Sequence, residues 1–437
     1  MMPEGPPREP AKLLNRNFYL LWQGQSINSL GNQAFDVAML FWAKHSTGSA
    51  TLMGLMLTAA SLPAVLLGPI GGALADRYPR RTILILADLF GAAAVLALAG
   101  LVFAAPQRTS LIVAGLFLTC ISLAVVQAFF SPAALAALPD LVPRERLSGA
   151  NSLLQLSAQF TLFVGQGLGG TLFRLLGAPL LFLANGLSFL FAAASNTLVT
   201  IPQRLPDRSS HWRERLREFR QDIAEGLRYI VGRSGLRDLV LLSALLNFLA
   251  VPVIVLLPFY VEDHLRVTVD WYGFFLASYG AGSMAGYLLA GTLGLKGRAR
   301  ARLMLTLMVL EPAGYALLGL LRQAPPAVAL AGLGGVANGI IDVYVTTIVQ
   351  ASTPGEIRGR VFGLLATIAG STTPIATGLA GVVADLTGHN IPLIYVMSGG
   401  AMAAISAVAW LRPRLRSFLA YEEPAEVVQA EPVPPPT

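Results

Sequence analysis

Twelve runs of mostly apolar residues, none of them containing a lysine or arginine, limit what this chain can become. They cover residues 18–42, 52–75, 82–104, 111–137, 150–172, 179–200, 238–260, 272–294, 303–321, 327–349, 361–386 and 392–411. About 20 such residues in a helix cross a bilayer, and in hydrocarbon the backbone must satisfy its own hydrogen bonds. Trp22 and Trp42 stand near the two ends of the first run, where interfacial aromatics belong. That run is too long for a signal peptide and lacks the basic n-region. Charged residues are only 13% of the chain, against roughly 25% in a soluble protein. So few charges cannot cover a water-facing surface, and the expected surface is lipid. Disorder of the bulk is excluded by the apolar content. The single cysteine, Cys120, excludes a disulfide scaffold. His45, His211, His264 and His389 are scattered, with no HExxH and no paired cysteines. No metal or cofactor is expected.

The basic residues set the orientation. Of 31 lysines and arginines, 26 fall in the two tails and the loops after even-numbered spans. Lys44, Arg108, Arg174, Arg266 and Arg322 are left for the opposite loops. The positive-inside rule then predicts a multi-pass protein of the plasma membrane with both termini cytoplasmic. The net charge of +7 is accounted for by topology, without nucleic-acid binding. The expected organisation is a disordered tail (1–17), a six-helix bundle (18–200), a cytoplasmic linker (201–237), a second bundle (238–411) and a disordered tail (412–437). In the linker, Trp212, Leu216, Phe219, Ile223, Leu227 and Ile230 recur at helical spacing among arginines. This amphipathic helix suits either the anionic leaflet surface or packing on the bundle as a connector. The loops Pro143–Arg146 and Pro354–Arg358, about half the chain apart, share a Pro-x-Glu start. The predicted fold is all-α, with twelve transmembrane helices in two pseudo-symmetric six-helix bundles around a midplane site.

The loop after span two reads Gly72-Ala-Leu74-Ala-Asp76-Arg77-Tyr78-Pro79-Arg80-Arg81. It resembles the cytoplasmic signature of the major facilitator superfamily, with Pro79 where many members carry glycine. Ser131-Pro132-Ala133, Leu138-Pro139-Asp140-Leu141-Val142-Pro143, Ala150-Asn151-Ser152-Leu153 and Pro354-Gly-Glu356-Ile-Arg358-Gly359-Arg360-Val361-Phe362 are similar to the drug-exporter branch holding macrolide-efflux and enterobactin-export proteins. Gly165-Gln166-Gly167-Leu168-Gly169-Gly170 is similar to that superfamily's antiporter motif, with Gln166 in place of the usual proline. The resemblance implies that Gly72, Asp76, Arg77, Arg80 and Arg81 form a conformational latch steadying the outward-facing state. Physically, Asp76 suits a helix N-terminus, and Arg80 and Arg81 suit Asp140 or Glu145. Such contacts are expected only when the halves close on the cytoplasmic side. Gly68/Gly72, Gly165/Gly169 and Gly282/Gly286, each four apart, with Gly370, Pro374 and Gly378, suit closely packed helices.

Asp36, Asp88, Glu311 and Asp342 are acids well inside apolar runs. Each costs about 2.5–3.5 kcal/mol at a helix centre, so such residues line cavities and have roles. Asp88 lies near the cytoplasmic end, where an ion pair with Arg80 or Arg81 is expected. Asp36 and Asp342, on helices that line the central cavity in the resembled family, are the expected proton and substrate coupling pair, with Glu311 next in line. Gln127, Asn247 and Asn338 suit polar cavity contacts or plain interhelical hydrogen bonds. The expected function is secondary-active efflux of amphiphilic cationic or neutral small molecules, driven by protons through alternating access, by a monomer. A lysophospholipid or other lipid carrier and a siderophore exporter are the alternatives on the same fold. No GxxxxGK[ST] or GxSxG motif exists to support an ATP motor or an intramembrane hydrolase, and the chain is not expected to be an enzyme.

Overall fold

The computed structural model describes residues 15–143, 146–203 and 212–421. Spans one to four are helices α1 (Arg16–Thr47), α2 (Ala50–Arg77), α3 (Arg80–Ala104) and α4 (Thr109–Leu141). Helix α5 (Leu147–Thr197) holds spans five and six on either side of Gly177, whose φ of 72° breaks the helix. A left-handed residue there tolerates only glycine easily, and Pro179 follows it. Helix α6 (Trp212–Gly232) is the linker, and α7 (Ser234–Val255) is span seven. A single turn, α8 (Leu257–Phe259), and a π-turn, Tyr260–His264, follow it. Spans eight to ten are α9 (Asp270–Leu293), α10 (Gly297–Leu318) and α11 (Ala324–Ser352). Span eleven is split at Thr372 into α12 (Gly355–Ser371) and α13 (Thr373–Leu386), because Pro374 starts a new helix better than it continues one. Helix α14 (Ile391–Trp410) is span twelve, and α15 (Pro413–Leu419) packs beneath α7.

The chain is therefore an all-α membrane protein of twelve spans. Eight described helices are each long and apolar enough alone to cross a membrane. One of those is α5, which supplies two spans. Helix α1 is too polar along one stripe to register by composition, α9 is rich in small residues, and span eleven is divided. The halves repeat one another: α2 packs on α4 as α9 packs on α11, and α3 on the second part of α5 as α10 on α14. Close approach in the second half depends on glycine. A Cβ on Gly282 would stand 2.0 Å from the Gly332 carbonyl oxygen, and one on Gly335 equally near that of Tyr279.

The helices depart from the expected spans by five or six residues at the ends of spans one and seven and at the starts of spans nine and eleven. Helix α1 runs on through Lys44, which is buried in its last turn instead of lying in a loop. Linker helix α6 is seated on the C-terminal half: Ile230 is buried, and Arg360 pairs with Glu225 at 2.5 Å. The side chains of Trp212, Leu216 and Phe219 lie outside the described residues, while Ile223 and Leu227 are exposed.

Candidate functional site

Among the described residues, the two halves meet at one end only. Away from the linker, Lys44 donates to Glu262 Oε2 at 2.7 Å, Asp263 Oδ1 at 2.9 Å and the Pro258 carbonyl at 3.1 Å. The π-turn brings these acids to it. Arg174 pairs with Asp270 at 3.1 Å. Asp385, on α13, accepts from Ser49 Oγ at 2.8 Å and from the Ala50 and Thr51 amides at 2.9 Å. A carboxylate of one half thus caps the N-terminus of α2 in the other, where the helix dipole favours negative charge. Thr58 donates to the Pro374 carbonyl at 2.8 Å one step deeper. Among the described residues, every hydrogen bond and ion pair between the halves lies toward this end. Glycines report the same asymmetry along spans two and eleven. A Cβ on Gly54 or Gly381 would collide with the facing backbone, whereas Gly68, Gly72 and Gly370 have nothing within 4 Å. The linker end is open.

From that open end a cavity of about 570 Å³ enters the N-terminal half. Its wall carries Asn28, Asn32, Asp36, Asp88 and Gln127, with Phe130 and Phe189 among its apolar members. Asn28, Asn32 and Asp36 are spaced by four residues, so one stripe of α1 faces it. Among the described residues, two acids and no basic residue line it.

Asp36 and Gln127 thus share one cavity. Asp342 is not with them: it is exposed on α11, with the Tyr287 hydroxyl in hydrogen-bonding reach. Glu311 accepts from Tyr315 at 2.8 Å, with Asn338 and Tyr279 beside this pair. The C-terminal half therefore gathers Glu311, Asn338 and Asp342 into a tyrosine-rich cluster of its own. Asn247 is exposed and donates to the Ser243 carbonyl of its own helix at 2.9 Å.

Two expectations change. Arg80 does pair with Asp140, at 2.5 Å, but both belong to the N-terminal half, and the pair exists while the linker end is open. It braces the loop against α4 and does not join the halves. Arg81 donates to the Asn196 and Thr197 carbonyls. Asp88 consequently has neither arginine; the amides of Asn28, at 3.4 Å, and Asn196, at 2.8 Å, hold it. Gly72 and Arg77 sit at the open end of α2, and the side chain of Asp76 lies outside the described residues.

Sequence reasoning missed Lys44 and its partners. A basic residue next to the apolar run Phe41-Trp42-Ala43 and an acidic pair in a short loop were the available signals. At Glu262, burial favours the neutral acid, but the hydrogen bonds and charges of His45 and Lys44 outweigh it and hold the carboxyl below its usual range.

Comparison with known proteins agrees with this architecture. The family model described as "Transmembrane secretion effector" matches residues 9–434. The chain is 27% identical to macrolide efflux protein A of Streptococcus pyogenes, over 92% of this chain and 97% of that one. It is 26% identical to the multidrug efflux pump Tap of Mycolicibacterium fortuitum, over 89% and 93%. Among solved structures, a bacterial homologue of the iron transporter ferroportin, in an inward-facing state, superposes with a TM-score of 0.65 at 17% identity, covering 91% of this chain and 99% of that one. Twelve spans in two repeated halves, meeting at one end over a polar cavity, and a family match along almost the whole length lead to one assignment: the chain belongs to the transmembrane secretion effector family of major facilitator transporters, multi-pass membrane proteins that move small molecules and are not enzymes.

Proposed function

We propose that this protein exports amphiphilic cationic or neutral small molecules from the cytoplasm in exchange for protons, by alternating access. The observation that carries the reading is the N-terminal cavity, where Asp36 stands among amides and aromatic rings with no basic residue among the described residues of the wall. A cation is favoured there and an anionic siderophore is not. With both termini cytoplasmic, as the basic residues indicate, the open linker end faces the cytoplasm, where an exporter loads. Proton and substrate compete for one carboxylate: substrate arrives from inside as the proton leaves, and an external proton displaces it after the halves rock. Asp342 and Glu311 form a second acidic station in the other half. The latch at Gly72, Asp76 and Arg77 acts in the opposite state, when the linker end closes. The export of macrolides and other drugs named for the two relatives is the substrate class this reading extends to the chain. It is tested by binding of a lipophilic cationic dye to detergent-purified protein across pH. Wild-type protein should bind more weakly as pH falls. Asp36→Asn should bind at every pH as weakly as acidified wild type and lose the pH dependence. An unchanged pH profile in Asp36→Asn would remove Asp36 from coupling.

A further inference from the structure

Helix α6 carries an apolar stripe that the bundle does not cover. One side of the helix is seated on the C-terminal half. The Tyr229 hydroxyl donates to the Ser352 carbonyl at 2.7 Å, and Arg233 donates to the same oxygen at 2.9 Å. Gly226 lies so near α12 that a Cβ there would stand 2.6 Å from Leu364 Cδ1. These contacts hold α6 against the end of α11 and the start of α12, at the level where spans ten and eleven leave the bilayer. Ile223, Leu227 and Val231 face away from them and are 38%, 46% and 52% exposed. Spacing by four keeps the three on one face, beside the bundle contact. A row of aliphatic side chains is unfavourable in water. Charge is sorted about this row. Counted at about 100° per residue, four of the helix's five arginines, Arg213, Arg217, Arg220 and Arg228, fall in register within about 60° of Val231. Its acids, Glu214, Glu218, Asp222 and Glu225, fall about 140–180° from Leu227.

We infer that α6 docks on the membrane surface at the linker end, with Ile223, Leu227 and Val231 among the acyl chains and the flanking arginines on the phosphates of anionic phospholipids. A helix with an apolar face bordered by basic residues lies in the plane of the interface, its apolar side below the headgroups. Each arginine near an anionic surface strengthens that binding. An acidic protein surface would answer the arginines, but not three aliphatic side chains at the height of the headgroups. The acids of α6, which an anionic surface would repel, are on the far side of the helix. With the linker end cytoplasmic, as proposed, the leaflet is the inner one; the docking takes only that orientation from the proposed function and nothing from the substrate. Glu225 pairs with Arg360 of α12, and Tyr229 and Arg233 hold the end of α11. Lipid that holds the linker therefore also holds the linker-side ends of spans ten and eleven.

The test is a depth measurement on the full-length protein in liposomes. Nitroxides are placed at Leu227, Val231 or Gln221, one at a time, on a Cys120→Ser background. Collision with oxygen, which concentrates in lipid, is compared with collision with a water-soluble nickel chelate. In liposomes containing phosphatidylglycerol, labels at Leu227 and Val231 should favour oxygen. The label at Gln221, which is exposed and about 120° from Leu227, should favour nickel. Exchanging phosphatidylglycerol for phosphatidylcholine should raise nickel collisions at Leu227 and Val231. Arg220→Gln with Arg228→Gln should weaken retention of phosphatidylglycerol by the purified protein about fivefold for each arginine lost. Nickel collisions at Leu227 and Val231 equal to those at Gln221 would place the stripe in water, and protection from both reagents would place it under protein. Either result would overturn the docking. Equal nickel collisions in the two lipids, or unchanged retention in the double variant, would overturn the recognition of anionic headgroups.

Discussion

Replacing Asp385 by asparagine should tip the protein toward its outward-open state. Asp385 spans the halves with three short bonds, to Ser49 Oγ and the Ala50 and Thr51 amides. On its own side it pairs with His389 at 2.8 Å. Asparagine keeps one acceptor but loses the charge and the second oxygen. Hydrogen bonds to charged groups contribute about 1.5–3 kcal/mol each, and a helix-terminus charge adds about 0.3–1 kcal/mol. The side chain is 31% exposed, so the low end applies, and a net loss near 1.5 kcal/mol is expected. That is about tenfold in the equilibrium between outer-closed and outer-open forms. Spin labels at Gln107 and Gln323, exposed on the two halves at that end, would report it. The only native cysteine, Cys120, is buried, so a single Cys120→Ser change clears the background. A longer-distance population should grow about tenfold in Asp385→Asn, and no further when Ser49→Ala is added to the loss of the same contact. An unchanged distance distribution would refute the clamp.

Lys44→Met should open the same end about tenfold as well, since it leaves the largely buried Glu262 without its lysine. Glu262 is held below its ordinary value of 4.5, so its contribution to closure is complete above that value and is lost as external pH falls through the lowered one. In Lys44→Met this acid release should move up toward 4.5, read from the same labels against pH. Gly282→Leu should abolish monodisperse protein on size exclusion, because backbone of α11 lies 2.0 Å from the new Cβ, whereas Gly72→Ala, with nothing within 4 Å, should purify normally. Arg80→Ala should lower the unfolding temperature, since its guanidinium joins Asp140 and the Ala136 carbonyl, without altering the outer-end distances.

Twelve spans, the linker and the acids inside apolar runs were legible because each depends on local composition. Bilayer thickness converts hydropathy into length, and a buried carboxylate is costly wherever it sits. The cavity stripe was legible in part: Asn28 and Asn32 stand eight and four residues before Asp36, a helical repeat that draws attention only once α1 is known to face inward. The outer clamp was not legible. Lys44 reads as a loop charge, Asp385 falls at the end of the run 361–386 with nothing local to mark it, and their partners are over two hundred residues away in the chain. The pairing of Arg80 with Asp140 was visible in kind but not in meaning, because only the fold shows that both belong to one half. Asn196 gave no signal at all, as an amide inside a span is ordinary interhelical glue until its NH₂ is seen donating to Asp88.

The central claim is that Asp36 couples proton movement to export through the open linker end. With the linker end cytoplasmic, as proposed, everted membrane vesicles present that end to the medium, so acidifying their interior supplies the driving gradient. Uptake of a lipophilic cationic dye by wild-type vesicles should begin on acidification and collapse with a protonophore. Asp36→Asn vesicles, carrying equal amounts of folded protein, should show no gradient-driven uptake, while dye exchange between two unlabelled pools at equal pH should persist. Gradient-driven uptake at the wild-type rate in Asp36→Asn would contradict the account.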